Sequence, residues 1–273
     1  MPVKRSIVIA ATRSLVRDVV GKTRFLDPDA IAFAAVSGAT DIVALSNFVK
    51  GVKALNLWSA LICWPMRSAQ NRGSGTVVYS LGGLETTNAA MVGSPVWGAN
   101  GITTGAAAYV TSVYSRTITA ANLSMFAGYT GLTPGLSQVY CGFSNTSLSA
   151  PLTWNGSNGG GALNMRSFTR NNANVGFIYP ASISVNGGTL SNDNALAVPS
   201  SGIVLQTRGW LGTEGAISLN NFTCGGGLRT TFGSAAIANY SIYGYFLAQL
   251  TQPQATSFYS LYTSTLGQGL GMP

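Results

Sequence analysis

The sequence predicts an all-β protein built as a sandwich of two sheets, and three observations carry that prediction. From residue 63 to about residue 250, apolar and polar residues alternate with a period of two. Turn-forming residues interrupt the alternation roughly every eight to twelve residues, the spacing of short strands in a sandwich or jelly roll. The chain of 273 residues is 46 % hydrophobic yet only 8 % charged, with 34 glycines. It can fill a core and has the turn formers that many strands require.

Composition also excludes several classes. A charged share near a third of the usual ~25 % argues against disorder, because disordered chains are charge-rich and poor in apolar residues. No stretch approaches the ~18 to 20 apolar residues that a spanning helix needs, so no membrane span is expected. Lys4 and Arg5 precede an apolar run, Ile7 to Ala11, that is too short for a secretory leader, and Arg13 and Arg17 break it. Cys63, Cys141 and Cys224 are odd in number and far apart, which suggests free buried thiols and synthesis in a reducing cytoplasm. A polar but weakly charged surface loses little on being covered by a neighbour. It suits a part of a large assembly, with a secreted β-rich protein as the plainer alternative.

Along the chain, residues 1–26 read as a basic extended arm. Lys4, Arg5, Arg13, Arg17, Lys22 and Arg24 face one acid, Asp18, so most of the net charge of +8 sits here. The β-branched stretches Ser6-Ile7-Val8-Ile9 and Val19-Val20 suit a strand added to a partner's sheet edge, or to an edge of the chain's own fold. Arg5, Ile7, Ile9, Arg13, Arg17, Lys22 and Arg24 are the candidate assembly contacts. Nucleic acid is not an expected partner, since Phe25 is the one aromatic residue that could stack on a base.

Residues 27–62 read as a small helical module. Asp27-Pro28-Asp29 places proline and acids where a helix starts, and Gly38 ends it. Thr40-Asp41 starts a second helix carrying Ile42, Leu45, Phe48, Val49 and Val52 at helical spacing, and residues 55–62 continue as a third short turn or helix. Residues 63–273 form the sandwich. Strands are expected at 76–80, 96–97, 108–113, 123–129, 138–143, 163–167, 175–179, 181–185, 202–208, 216–219, 228–232 and 241–247. Glycine- and asparagine-rich turns at 155–161 and 186–188 lie between them. Pro253 opens a terminal helix with Phe258, Leu261 and Tyr262 on its apolar face, and Gly267 is the residue expected to close it.

Several of these segments carry a family likeness. The block Leu57-Trp58-Ser59 with Cys63-Trp64-Pro65 and Tyr79-Ser80-Leu81-Gly82-Gly83 resembles the opening of concanavalin-A-like (LamG-like) domains in bacteriophage virion structural proteins. Gly93-Ser94-Pro95-Val96-Trp97 with Gly101-Ile102-Thr103 resembles that family's hairpin. Tyr243-Gly244-Tyr245-Phe246-Leu247, with Phe258-Tyr259-Ser260-Leu261-Tyr262, resembles its last strand and helix. The likeness covers about residues 40–273 and implies a concanavalin-A-like jelly-roll β-sandwich. The sequence departs from sugar-binding and sugar-cleaving members in lacking clustered carboxylates and a Glu-x-Asp-x-x-Glu strand.

An inventory of reactive groups leads to the expectation of no enzyme. There is no histidine, which removes histidine-based triads and metal sites. After residue 62 the acids are Glu85, Asp193 and Glu214, each in a turn-like context, whereas a glycosidase needs two carboxylates flanking a bond. Metal and cofactor are therefore not expected either. Trp97, Trp154 and Trp210 lie in or beside turns and are candidates for stacking on a host glycan, although such rings more often pack in a core. The expectation is a capsid-decorating protein of a bacteriophage, made in the bacterial cytoplasm, located in the virion and contacting other virion proteins and copies of itself. A tail-fibre or spike protein recognising host glycans is the second reading, and a polysaccharide-cleaving enzyme of the same fold the third.

Overall fold

Among the described residues two short helices come first, each started by an aspartate. The computed structural model describes residues 25–105, 107–118, 122–133, 138–144, 151–157, 165–169, 182–191, 196–209, 217–225 and 234–273. The arm up to residue 24 and the strands expected at 175–179 and 228–232 lie outside the described residues. Helix α1 (Pro28–Ser37) begins where the Asp27 carboxylate accepts from the Asp29 N–H, with proline in the first turn. It ends at Gly38, whose φ of 70° suits a residue without a Cβ. Helix α2 (Ile42–Ala54) is capped by Asp41 in the same way.

Strands follow, fifteen among the described residues. They are β1 (Leu61–Pro65), β2 (Val77–Val78), β3 (Ala89–Val92), β4 (Val96–Gly98), β5 (Gly101–Thr103), β6 (Tyr109–Ile118), β7 (Asn122–Thr130) and β8 (Gln138–Ser144). Then come β9 (Pro151–Ser157), β10 (Met165–Thr169), β11 (Ser182–Val185), β12 (Gly202–Gly209), β13 (Ile217–Gly225), β14 (Ser234–Ala235) and β15 (Asn239–Phe246), before helix α3 (Gln252–Ser264). They form two sheets. One runs β11-β12-β7-β15-β5-β4, with β1 also on β15; the other runs β10-β9-β8-β13-β6-β3-β2, with β14 on β8. All the pairings are antiparallel except that of β14 with β8.

The chain is thus the expected all-β sandwich with an N-terminal helical module and a C-terminal helix. The helices add a third layer. On β7, Leu123, Met125, Ala127 and Tyr129 face the inner core between the sheets, while Phe126 joins a second core beneath the helices. On β15, Tyr240, Tyr243 and Tyr245 point inward, and Ile242 and Phe246 face the helices. Phe258 of α3 sits between Phe126 and Phe246, with ring centroids 4.8 and 5.1 Å away, and Phe48 of α2 reaches it at 6.1 Å. The sheet built on β15 is therefore buried on both faces.

Some boundaries differ from the sequence reading. The short turn expected over 55–62 is a 3-10 turn at Trp58–Ala60, and Leu61 and Ile62 already belong to β1, paired with Phe246 and Tyr245. Residues 155–157, read as part of a turn, lie in β9, with Asn155 and Gly156 opposite β8 and Ser157 opposite Met165 of β10, and 158–161 are outside the described residues. The turn at Asn186-Gly187 is present. Both residues have positive φ, 52° and 70°, and the Gly188 N–H donates to the Val185 carbonyl. Helix α3 ends at Ser264 rather than at Gly267. Gly267 follows in a turn, its N–H donating to the Tyr262 carbonyl, and a Cβ there would lie 2.6 Å from the Tyr262 ring. Among the described residues no helix is long and apolar enough to cross a membrane.

Candidate functional site

The one acid described after residue 62 is Glu85, and the fold brings a tyrosine to it. Tyr245 stands on the inner face of β15, its ring between those of Phe143 and Phe222 at 5.1 and 5.2 Å. Its hydroxyl reaches the rim of the sandwich and donates to Glu85 Oε1 at 3.2 Å. The segment carrying Glu85 is held on both sides. The Gly83 N–H donates to the Trp58 carbonyl and the Leu84 N–H to the Leu61 carbonyl. Beyond it, Trp64 Nε1 donates to the Thr87 carbonyl at 2.9 Å, and the Thr87 N–H donates to Ser80 Oγ. A half-buried carboxylate is thereby fixed against a phenol whose ring is wholly in the core. Nothing in the linear sequence marks the pair, because 160 residues separate its members.

Of the candidate glycan-stacking residues, Trp97 is on β4 opposite Ile102. It is half-buried and packs on the inner core, and its indole N–H donates to the Gly75 carbonyl at 2.9 Å. Trp154 has its backbone in β9, opposite Gly142 of β8 and Phe168 of β10. Trp210 lies outside the described residues, as do Asp193, Glu214 and the assembly contacts Arg5, Ile7, Ile9, Arg13, Arg17, Lys22 and Arg24. Trp97 and Trp154 therefore stand on different sheets, β4 in one and β9 in the other.

Deeper inside, phenols and thiols share the core. Tyr129 stacks on Tyr140 at 5.4 Å, and Tyr243 stacks on Trp64 at 4.7 Å and on Phe222 at 5.3 Å. Burial pushes the hydroxyls of Tyr129, Tyr240 and Tyr243 well above the ordinary phenol range, with neighbouring phenols or thiols adding to the shift. Burial likewise raises the Cys63 and Cys224 thiols. Among the described residues no three of the Cys, Asp and Glu side chains gather where a metal ion could be held.

No protein-family model matches the chain, and no curated protein matches it in sequence. Solved structures do resemble its path. A Trypanosoma rangeli sialidase in complex with 2,3-difluorosialic acid is 11 % identical, with 82 % of this chain and 39 % of the sialidase covered and a TM-score of 0.45. The same enzyme with the inhibitor DANA is 11 % identical, with 83 % and 40 % covered and a TM-score of 0.45. The botulinum neurotoxin serotype D binding domain is 6 % identical, with 75 % and 52 % covered and a TM-score of 0.40. The chain spans about two fifths of the length of these sialidases, and at such identities the likeness concerns fold alone.

The expectation of a non-enzymatic chain is corrected by the sialidase matches. It rested on counting histidines and carboxylate pairs. That count left out the pairing found here, a phenol donating to a single carboxylate, and the non-enzymatic reading is not carried forward.

Proposed function

We propose that the chain is a structural protein of a bacteriophage particle that decorates the capsid, with residues 1–26 and the helical layer turned toward the shell and the sandwich outward. The family likeness of the sequence supports the particle. The observation that carries the orientation is exposed apolar surface on the helical layer, at Phe25 beside the arm and in a strip along α1. Phe25 is 84 % exposed and Val36 is 63 % exposed, and Ala32 and Ala35 lie exposed on the same face of α1 as Val36. Covering such a strip removes apolar surface from water at roughly 25 cal/mol per Å². Of the charges in that region, Asp29 and Lys53 are paired at 2.7 Å, while the exposed Lys50 donates to the Phe25 carbonyl and would meet an acidic group on the shell.

Deleting residues 1–26 tests the assignment. The truncated chain is expected to fold, because Asp27 carries the contacts that start α1, and to be missing from purified particles. Neutralising Arg13 and Arg17 together should weaken incorporation modestly, and more at low salt than at high salt. Full incorporation of the truncated chain would end the anchoring role of the arm. Localisation by electron microscopy distinguishes shell from tail. A low copy number at the tail, with glycan-dependent attachment, would make the chain a fibre or spike protein instead.

A further inference from the structure

The sequence shows three scattered cysteines, but the fold brings two of them face to face. Cys141 of β8 is the register partner of Cys224 of β13. Opposed residues in an antiparallel pair have Cα atoms about 4.5 or 5.5 Å apart, and a disulfide spans about 4.4 to 6.8 Å, so either kind of site falls within its reach. Opposed side chains also leave the sheet on the same side. Both cysteines are 0 % exposed and belong to the inner core. Cys63 is elsewhere, in the core beneath the helices, with its thiol donating to the Leu81 carbonyl at 3.2 Å.

We infer that Cys141 and Cys224 are a disulfide-forming pair, thiols when the chain is made and joined when it meets an oxidising low-molecular-weight disulfide such as oxidised glutathione. The thiolate of one cysteine attacks a glutathione sulfur, the glutathione S–S bond breaks, and one glutathione leaves as its thiol. The second cysteine then displaces the other glutathione and closes the protein disulfide. Two protein thiols are oxidised, one glutathione disulfide is reduced to two thiols, and the two cysteine protons pass to the departing thiolates. Burial raises the Cys224 thiol, with Cys141 adding to the effect, so exchange proceeds when β8 and β13 part rather than in the closed sandwich. The bond would tie β8 to β13 across the long intervening chain. On the particle reading above, it would form after release from the reducing cytoplasm.

The test uses the full-length chain, purified reduced and then held with oxidised glutathione at a urea concentration below its unfolding transition. Afterwards it is denatured and alkylated, and its mass and peptide map are read. The three cysteine thiols of the reduced chain are expected to fall to one, Cys63, with a cross-linked peptide joining Cys141 to Cys224 and a melting temperature above that of the reduced chain. Cys63→Ala should still form the bridge, and Cys141→Ala and Cys224→Ala should each form none. The wild-type peptide map decides the matter even if an alanine variant does not fold. Three alkylated thiols, glutathione adducts alone, or a bridge that includes Cys63 would overturn the pair. None of these readouts depends on where the protein sits in a particle, so their failure leaves the capsid reading standing.

Discussion

Asp27 shows how much one side chain can hold in a protein with few charges. Its carboxylate accepts from the Asp29 N–H at 2.9 Å and meets Lys53 Nζ of α2 at 2.9 Å, while its own N–H donates to Ser46 Oγ at 2.8 Å. Burial pulls the Lys53 pKa down, but its hydrogen bonds to Asp29 and Asp27 outweigh that and leave it raised. Removing the cap by Asp27→Ala is expected to cost about 1 to 2 kcal/mol in urea unfolding, and Asp27→Asn, which keeps a capping oxygen, distinctly less. Gly244 is a contrasting case. A Cβ there would stand 2.6 Å from Cys63 Cβ and 2.6 Å from the Ile62 carbonyl oxygen, so Gly244→Ala should cost about 1 to 3 kcal/mol by overpacking. The role of Asp27 is legible in Asp27-Pro28-Asp29 because capping is local. That of Gly244 is not, because it follows from β1 lying beside β15.

Helix α3 is attached through its aromatic face more than through its ends. Thr251 and Gln254 form a capping box at its start. The larger contribution is Phe258, packed among Phe48, Phe126 and Phe246. Phe258→Ala should cost about 3 to 5 kcal/mol and reduce the near-ultraviolet circular dichroism of the packed rings, since no neighbouring side chain can fill the space. The same comparison explains which elements could be read in advance. Strands β7 and β12 are nine and eight residues long and are bordered by glycine or serine, so their length and borders make them legible within a residue or two. Strand β1 is buried along its whole length, so Leu61–Pro65 has no alternation to read. Strands β2 and β14 are two residues long and exist only through their partners. Long-range pairing also hid the chemistry: the contact of Tyr245 with Glu85 and the facing of Cys141 by Cys224 both depend on sheet order.

Helices, mixed-face sheet and second sheet together bury many phenols, and this gives the fold a direction of weakness in pH. The hydroxyls of Tyr129, Tyr240 and Tyr243 are pushed by burial well above the ordinary phenol value of 10.0. The folded chain therefore keeps protons that the unfolded chain gives up near pH 10. Stability from these groups is fully present below the ordinary value and falls as pH rises beyond it. Alkaline titration should show the tyrosinate absorbance of these three rings appearing in one cooperative step together with the loss of β-sheet circular dichroism. Ionisation of every phenol in the chain with the fold intact would contradict their burial.

The position of β15 has a consequence for how the chain is made. It is the last strand in sequence, yet it lies beside β7 on one edge and beside β1 and β5 on the other. A ribosome delivers β1 and β7 long before the strand that joins them, and α3, which covers their outer face, comes later still. Until then the apolar residues of both cores have no complete surface to bury against, and a chain in that state is open to aggregation. Nascent chains stalled before Asn239 should stay protease-sensitive throughout, and protection should arrive almost all at once when β15 and α3 have left the exit tunnel.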